Sequence, residues 1–178
     1  LKIMEEDKCI LNPNTKQTNR MKHKYIFGII SLMDYHPLTK QITDLLARNN
    51  YWYETFEHEP VLTSEEAAKT RPEYSLHQGA KAIMAKIEKK NKEEVFVVFA
   101  IPGDLRMDSK KIKQALDIKG LRFATEEELI KLTNGIQRGA LPPFGHFFEI
   151  PLFADKRLLE KEKIVFNAGD RRFSVAMK

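Results

Sequence analysis

Apolar positions fall into two rhythms along this chain, one of helical and one of strand period. Behind Pro37, which suits the first turn of a helix, Leu38, Ile42, Leu45 and Leu46 recur at helical spacing until Asn49-Asn50. Residues 51–57 are aromatic and β-prone and predict a strand. Thr63-Ser64-Glu65-Glu66 places a hydroxyl three residues before a carboxylate, a capping box that opens a helix at Ala67-Ala68-Lys69. Residues 79–87 and 94–101 form two apolar runs around Lys89-Lys90-Asn91-Lys92 and predict a β-hairpin with a basic tip. Positions 95–99 are all apolar, so both faces of that strand should be covered.

A helix over about 109–116 follows, with Ile112, Ala115 and Leu116 as its inner stripe. A short strand over 121–124 precedes a second capping box, Thr125-Glu126-Glu127-Glu128. Beyond residues 138–146 come a strand-like run over 147–152, a short helix over 155–161, and strands over 163–166 and 172–177. Helices and strands intermix, several connections are hairpins and no repeat is visible. The pattern predicts a single α+β domain over residues 36–178, built on a curved, mixed and largely antiparallel sheet flanked by helices.

Residues 1–35 lack this regularity and read as a leader or extension with little structure of its own. Met21-Lys22-His23-Lys24 before the apolar stretch 25–33 mimics a secretory signal. No small-x-small cleavage site follows, and the stretch is too short to span a bilayer. Met33 is a plausible start for the domain itself. The single Cys9 excludes an intramolecular disulfide framework and fits a reducing compartment, so a cytoplasmic protein is expected. A net charge of +5 tilts the chain toward a polyanionic partner without singling out nucleic acid.

Several chemistries are missing. The five histidines show no H-x-x-x-H or Cys/His pairing, so no metal is expected. There is no Walker loop, no G-x-G-x-x-G opening a helix and no G-x-S-x-G elbow, and no cofactor is expected. An enzyme of this sequence would work by positioning and electrostatics rather than through a protein nucleophile.

Four places remain open to chemistry. Arg138-Gly139-Ala140-Leu141-Pro142-Pro143-Phe144-Gly145-His146 holds two glycines and two prolines, which describes a rigid loop whose backbone faces something, or a plain turn. Lys81 shares a strand face with Ile83, Ala85 and Ile87; it is either a snorkelling lysine or a cation at a cleft edge able to grip a phosphate. His58-Glu59-Pro60 reads first as a polar turn. Phe166-Asn167-Ala168-Gly169-Asp170 reads as a β-turn between two strands as readily as a site. The lysine groups at 86–92 and 110–113 read as solvated faces.

Taken in order, the segments resemble the YbaK and prolyl-tRNA synthetase editing-domain family of aminoacyl-tRNA deacylases. The matching stretches are His58 to Ala68, Gly79-Ala80-Lys81-Ala82, Pro102-Gly103-Asp104 with Lys110-Lys111, Phe123 to Leu129, Gly139 to Gly145, and Phe166 to Asp170. The resemblance runs from about His36 to Met177. It implies a trans-editing hydrolase that cleaves the ester at the 3′ end of mischarged aminoacyl-tRNA, without a cofactor. The family's G-x-x-x-P loop falls on Gly139 to Pro143 and its lysine on Lys81. By that analogy Lys81 and Gly139 are catalytic, Lys81 holding the phosphate or ribose of the terminal adenosine and the loop amides holding the ester carbonyl. Pro143, Phe144, Gly145, Asn167 and Gly169 would line the substrate. Water would attack, helped by a ribose hydroxyl of the tRNA.

Two positions depart from the family pattern. Asn167 stands where several members carry histidine, and Ala82 where many carry Ser, Thr or Asn. The amino acid removed is therefore not carried over. The implied partners are the acceptor end of aminoacyl-tRNA and, as a further candidate, an aminoacyl-tRNA synthetase; no DNA or membrane is expected. The alternative is a tRNA- or protein-binding module that retains the fold without catalysis.

Overall fold

In the computed structural model, which describes residues 35–178, the hairpin is the organising element. Strands β2 (Ala80–Glu88) and β3 (Glu94–Pro102) pair antiparallel along their full length, from Ala80 opposite Pro102 to Glu88 opposite Glu94. Both faces of β3 are covered, as its unbroken apolar run requires. Val98 and Ala100 join the main core, whereas Val97 and Phe99 pack with Ala85, Ile87 and Ile112 on the other face.

Helix α1 (Pro37–Arg48) starts at its proline, with His36 capping through a ring nitrogen that accepts from the Leu38 N–H. Leu38, Ile42 and Leu46 form its buried stripe. Each such side chain contributes about 1.5–3 kcal/mol by leaving water. Strand β1 (Tyr53–Glu57) leads to α2 (Ser64–Thr70), whose capping box is formed as the sequence indicates: Thr63 accepts from the Glu66 N–H, and Glu66 from the Thr63 N–H. Helix α3 (Ser109–Ala115), strand β4 (Gly120–Phe123) and helix α4 (Glu126–Leu132) follow, the last opened by the Thr125 and Glu128 box. Strand β5 (Leu152–Ala154), helix α5 (Lys156–Leu159), strand β6 (Ile164–Asp170) and strand β7 (Phe173–Met177) complete the order.

The domain is α+β and mainly antiparallel, with the β3–β5 pair parallel. Its strands divide between two hydrogen-bonded sheets, β4-β2-β3-β5 and β1-β7-β6. An isolated parallel bridge between Gly79 and Val165 joins them.

Two local expectations are corrected. Residues 145–148 form a 3-10 turn and Glu149 is left-handed at φ 56°, so the strand begins only at Leu152. The Ile150 N–H donates back to the Gly145 carbonyl at 3.1 Å, which curls this aromatic segment instead of extending it. Residues 166–170 belong to β6 rather than to a turn, with a register shift between Asn167 and Asp170. The apolar stretch 25–33 and the rest of the leader up to residue 34 lie outside the described residues, whereas Tyr35 packs on Phe173.

Candidate functional site

Strand β4 pairs with β2 only at residues 85–88, so the first half of β2 has an open outer edge. The Met84 carbonyl faces that edge, accepting from the Ala124 N–H, while the Gly79 carbonyl faces β3, accepting from the Gly103 N–H. Backbone groups alternate along a strand, so the Ala82 N–H and C=O also face outward. Among the described residues no strand meets them there. A cleft of about 340 Å³ occupies this space, a size suited to a small ligand or the end of a larger one. Ala80, Lys81 and Ala82 form one wall, Ala67, Ala68 and Arg71 another, and Val165, Phe166 and Asn167 a third. Arg138, Gly139 and Leu141 close it.

The cleft therefore brings together Lys81, Gly139 and Asn167. Pro143, Phe144, Gly145 and Gly169 do not line it. Phe144 packs on Phe166 at a centroid distance of 5.4 Å, Gly145 opens the 3-10 turn, and Gly169 donates its N–H to the Ala140 carbonyl at 3.0 Å. These residues support the loop from behind.

Gly139 has φ 88°, and a Cβ there would meet the Leu62 carbonyl oxygen at 2.9 Å. The loop thus touches the segment before α2 so closely that only glycine fits. Its carbonyl accepts from Asn167 Nδ2 at 2.8 Å, its N–H has no acceptor among the described residues, and the residue is exposed where it lines the cleft. Lys81 donates from Nζ to the Leu105 carbonyl at 2.7 Å and to the Gly103 carbonyl at 3.3 Å. Partial burial pushes its pKa down, while Glu65 and Asp104 act in the opposite direction.

Asn167 belongs to a relay. The Ser174 hydroxyl lies 2.9 Å from Asn167 Oδ1 and 2.7 Å from His58 Nε2, and His58 Nδ1 lies 2.8 Å from the Glu59 carbonyl. A carbonyl only accepts, so Nδ1 carries the proton of a neutral imidazole. Nε2 is then an acceptor, and the single Ser174 proton serves either His58 or Asn167. Protonating His58 would allow every link at once, but burial and then the nearby Arg71 charge lower its pKa. The relay ties β1, β7 and β6 to the Gly139 carbonyl.

Sequence reasoning missed two residues here. Ser174 is fully buried, and its signal was a lone hydroxyl inside the apolar run Phe173-Ser174-Val175-Ala176. Arg71 follows α2 at 4 % exposure, and nothing in its sequence neighbourhood separates it from a surface arginine. No three His, Cys, Asp or Glu side chains gather as metal ligands among the described residues. In the same range no helix is long and apolar enough to cross a membrane.

An open strand edge, a glycine loop and a lysine thus line one cleft of an α+β domain. The chain belongs to the aminoacyl-tRNA editing domain family, whose model matches residues 58–178. Its fold is similar to the crystal structure of a candidate trans-editing enzyme for prolyl tRNA synthetase, with TM-score 0.64 and 22% identity over 80% of this chain and 87% of that one. It is also similar to the hypothetical protein APE2540, with TM-score 0.63 and 22% identity over 78% and 88% of the two chains. At these identities the likeness establishes the fold. No curated protein matches the chain.

Proposed function

We propose that the cleft hydrolyses the ester linking a wrongly attached amino acid to the 3′ end of tRNA, in trans and without a cofactor. The observation that carries this reading is that Gly139, whose N–H has no acceptor among the described residues, and Lys81 line one cleft. A water oxygen bonds to the ester carbonyl carbon, the bond to the ribose oxygen breaks, and that oxygen takes up a proton. The Gly139 N–H donates to the oxyanion as it forms, an interaction stronger in the transition state than in the ground state. Lys81 offers a point charge to the terminal phosphate or ribose. A ribose hydroxyl of the tRNA assists the water.

Such a site has a physical purpose. A synthetase pocket distinguishes a smaller apolar amino acid by only about 1–3 kcal/mol per methylene, so errors need a second, hydrolytic check. The working compartment is the cytoplasm, and an aminoacyl-tRNA synthetase is the natural supplier of the substrate. The test is a panel of tRNAs charged with Ala, Cys, Ser, Thr or Pro, incubated with the protein and with Lys81→Ala. Release of one amino acid by the wild type, lost in the variant, is the expected result. Binding of uncharged tRNA with no release from any member would establish the non-catalytic module instead.

A further inference from the structure

Arg71 is the part of the cleft that the proposed hydrolysis leaves unused. It caps the C-terminal end of α2, where its Nε donates to the Ala67 carbonyl at 2.9 Å. That bond is a sufficient structural reason for a basic residue at a helix end, but it spends one of five N–H donors. Nη1 is sealed from solvent and has no partner among the described residues. The whole side chain is 4 % exposed, and it lines the cleft.

The other arginines show what the fold does with a guanidinium it needs only for structure. Arg122 is forked onto Glu128 at 2.6 and 2.7 Å, Arg157 onto Asp155 at 2.6 and 2.9 Å, and Arg172 onto Asp170 at 2.8 and 2.9 Å. All three are more exposed than Arg71, yet each has a carboxylate. Arg71 has none within ion-pair distance among the described residues. Burial pushes its pKa down to about 10, which leaves it charged near neutral pH. A buried cation without a counter-ion is a costly arrangement that a bound anion would relieve.

We propose that Arg71 is the anion-binding residue of the cleft, its Nη groups taking a phosphate or carboxylate oxygen of the ligand. A guanidinium fork matches both groups and four of its five N–H donors are unspent, whereas Lys81, with two of three donors on carbonyls, adds only a point charge. The proposal rests on the reading of this cleft as the editing site, and that reading offers two sources of the anion. One is a phosphate of the acceptor end. The other is the carboxylate that hydrolysis creates on the released amino acid.

Calorimetric titrations of the full chain separate these sources. AMP is compared with adenosine, and alanine with alaninamide, in the wild type, Arg71→Gln and Arg71→Lys. The phosphate source predicts that Arg71→Gln weakens AMP about tenfold or more and leaves adenosine unchanged. The carboxylate source predicts the same loss for alanine and none for alaninamide. Arg71→Lys keeps the charge but not the fork and should fall between, so it carries the test if Arg71→Gln does not fold. The proposal is overturned if the wild type binds neither anion at millimolar concentration, or if both variants bind them as the wild type does. Wild-type failure to deacylate any charged tRNA, with Arg71-dependent anion binding intact, would instead remove the hydrolase reading and leave this one standing.

Discussion

Lys81 offers the most direct test among single residues. Its ammonium is held by the Leu105 and Gly103 carbonyls at a partly open position, so truncation removes a charge from the cleft without opening the core. We predict that Lys81→Ala lowers single-turnover deacylation about 10²-fold, the scale of losing one electrostatic contact in a transition state. The melting temperature should stay near wild type, and a near-wild-type rate would remove Lys81 from the mechanism. His58 predicts a pH effect. Its folded pKa lies below the ordinary 6.5, from burial first and then from Arg71. The unfolded chain therefore binds the proton more readily, so the contribution of neutral His58 is present above pH 6.5 and is lost as pH falls through the folded pKa. Urea unfolding between pH 7.5 and pH 5 should show wild type losing more stability than His58→Gln. At this scale Lys81 stood out in the sequence, as a cation on an apolar strand face. Ser174 and Arg71 did not, because the burial of a polar group is decided by distant parts of the chain.

Elements with local signals were the most legible. Both capping boxes formed at the residues that announce them, because hydroxyl, carboxylate and helix start sit within four positions. The hairpin also formed as read, its paired apolar runs matching two covered faces. The segment after the glycine loop was misread because Phe147, Phe148, Ile150 and Leu152 carry a strand-like composition. The backbone contact between Gly145 and Ile150 that curls it leaves no mark in the pattern. Likewise Asn167 to Gly169 has turn composition but stays in a strand, where its irregularity packs against α1. The glycine loop itself supplies the element-scale prediction. Gly139→Val would force a side chain against Leu62 in a left-handed backbone. We expect about 1–3 kcal/mol of destabilisation and at least about a 10²-fold loss of deacylation, since loop position and amide donor are lost together. Pro143→Ala should be milder, changing the preference between small and large aminoacyl esters more than the rate. A Gly139→Val protein with wild-type stability and wild-type rates would reduce the loop to a turn.

For the whole molecule, charge bears on the tRNA binding we propose. The net charge is only +5, and many lysines are already occupied. Lys86 pairs with Glu94, Lys89 with Glu93, Lys90 with Asp117 and Lys119 with Glu88. The remaining lysines are dispersed along the chain rather than clustered, so we predict weak tRNA binding with a shallow log–log salt slope of about −2, two or three contacts at most. Fluorescence titration across a salt series measures it. A slope several times steeper would reveal a basic surface that the described residues do not display. The fold class was legible at this scale because intermixed helical and strand periods leave few alternatives. The division into two sheets was not, since it depends on where pairing stops rather than on where strands lie.

The bridge at Gly79 and Val165 fastens the two sheets to each other at one end of the cleft. Gly103 lies so close to this joint that a Cβ would stand 2.7 Å from the Leu76 carbonyl, which pins the backbone on that side. Farther along, Ala82 and Asn167 face each other's side of the cleft without a strand bond between the sheets. The two walls are therefore paired by backbone at one end of the cleft and not at the other. For the ligand we propose, the end of the cleft without that bridge is the way in, and using it leaves every hydrogen bond inside either sheet intact.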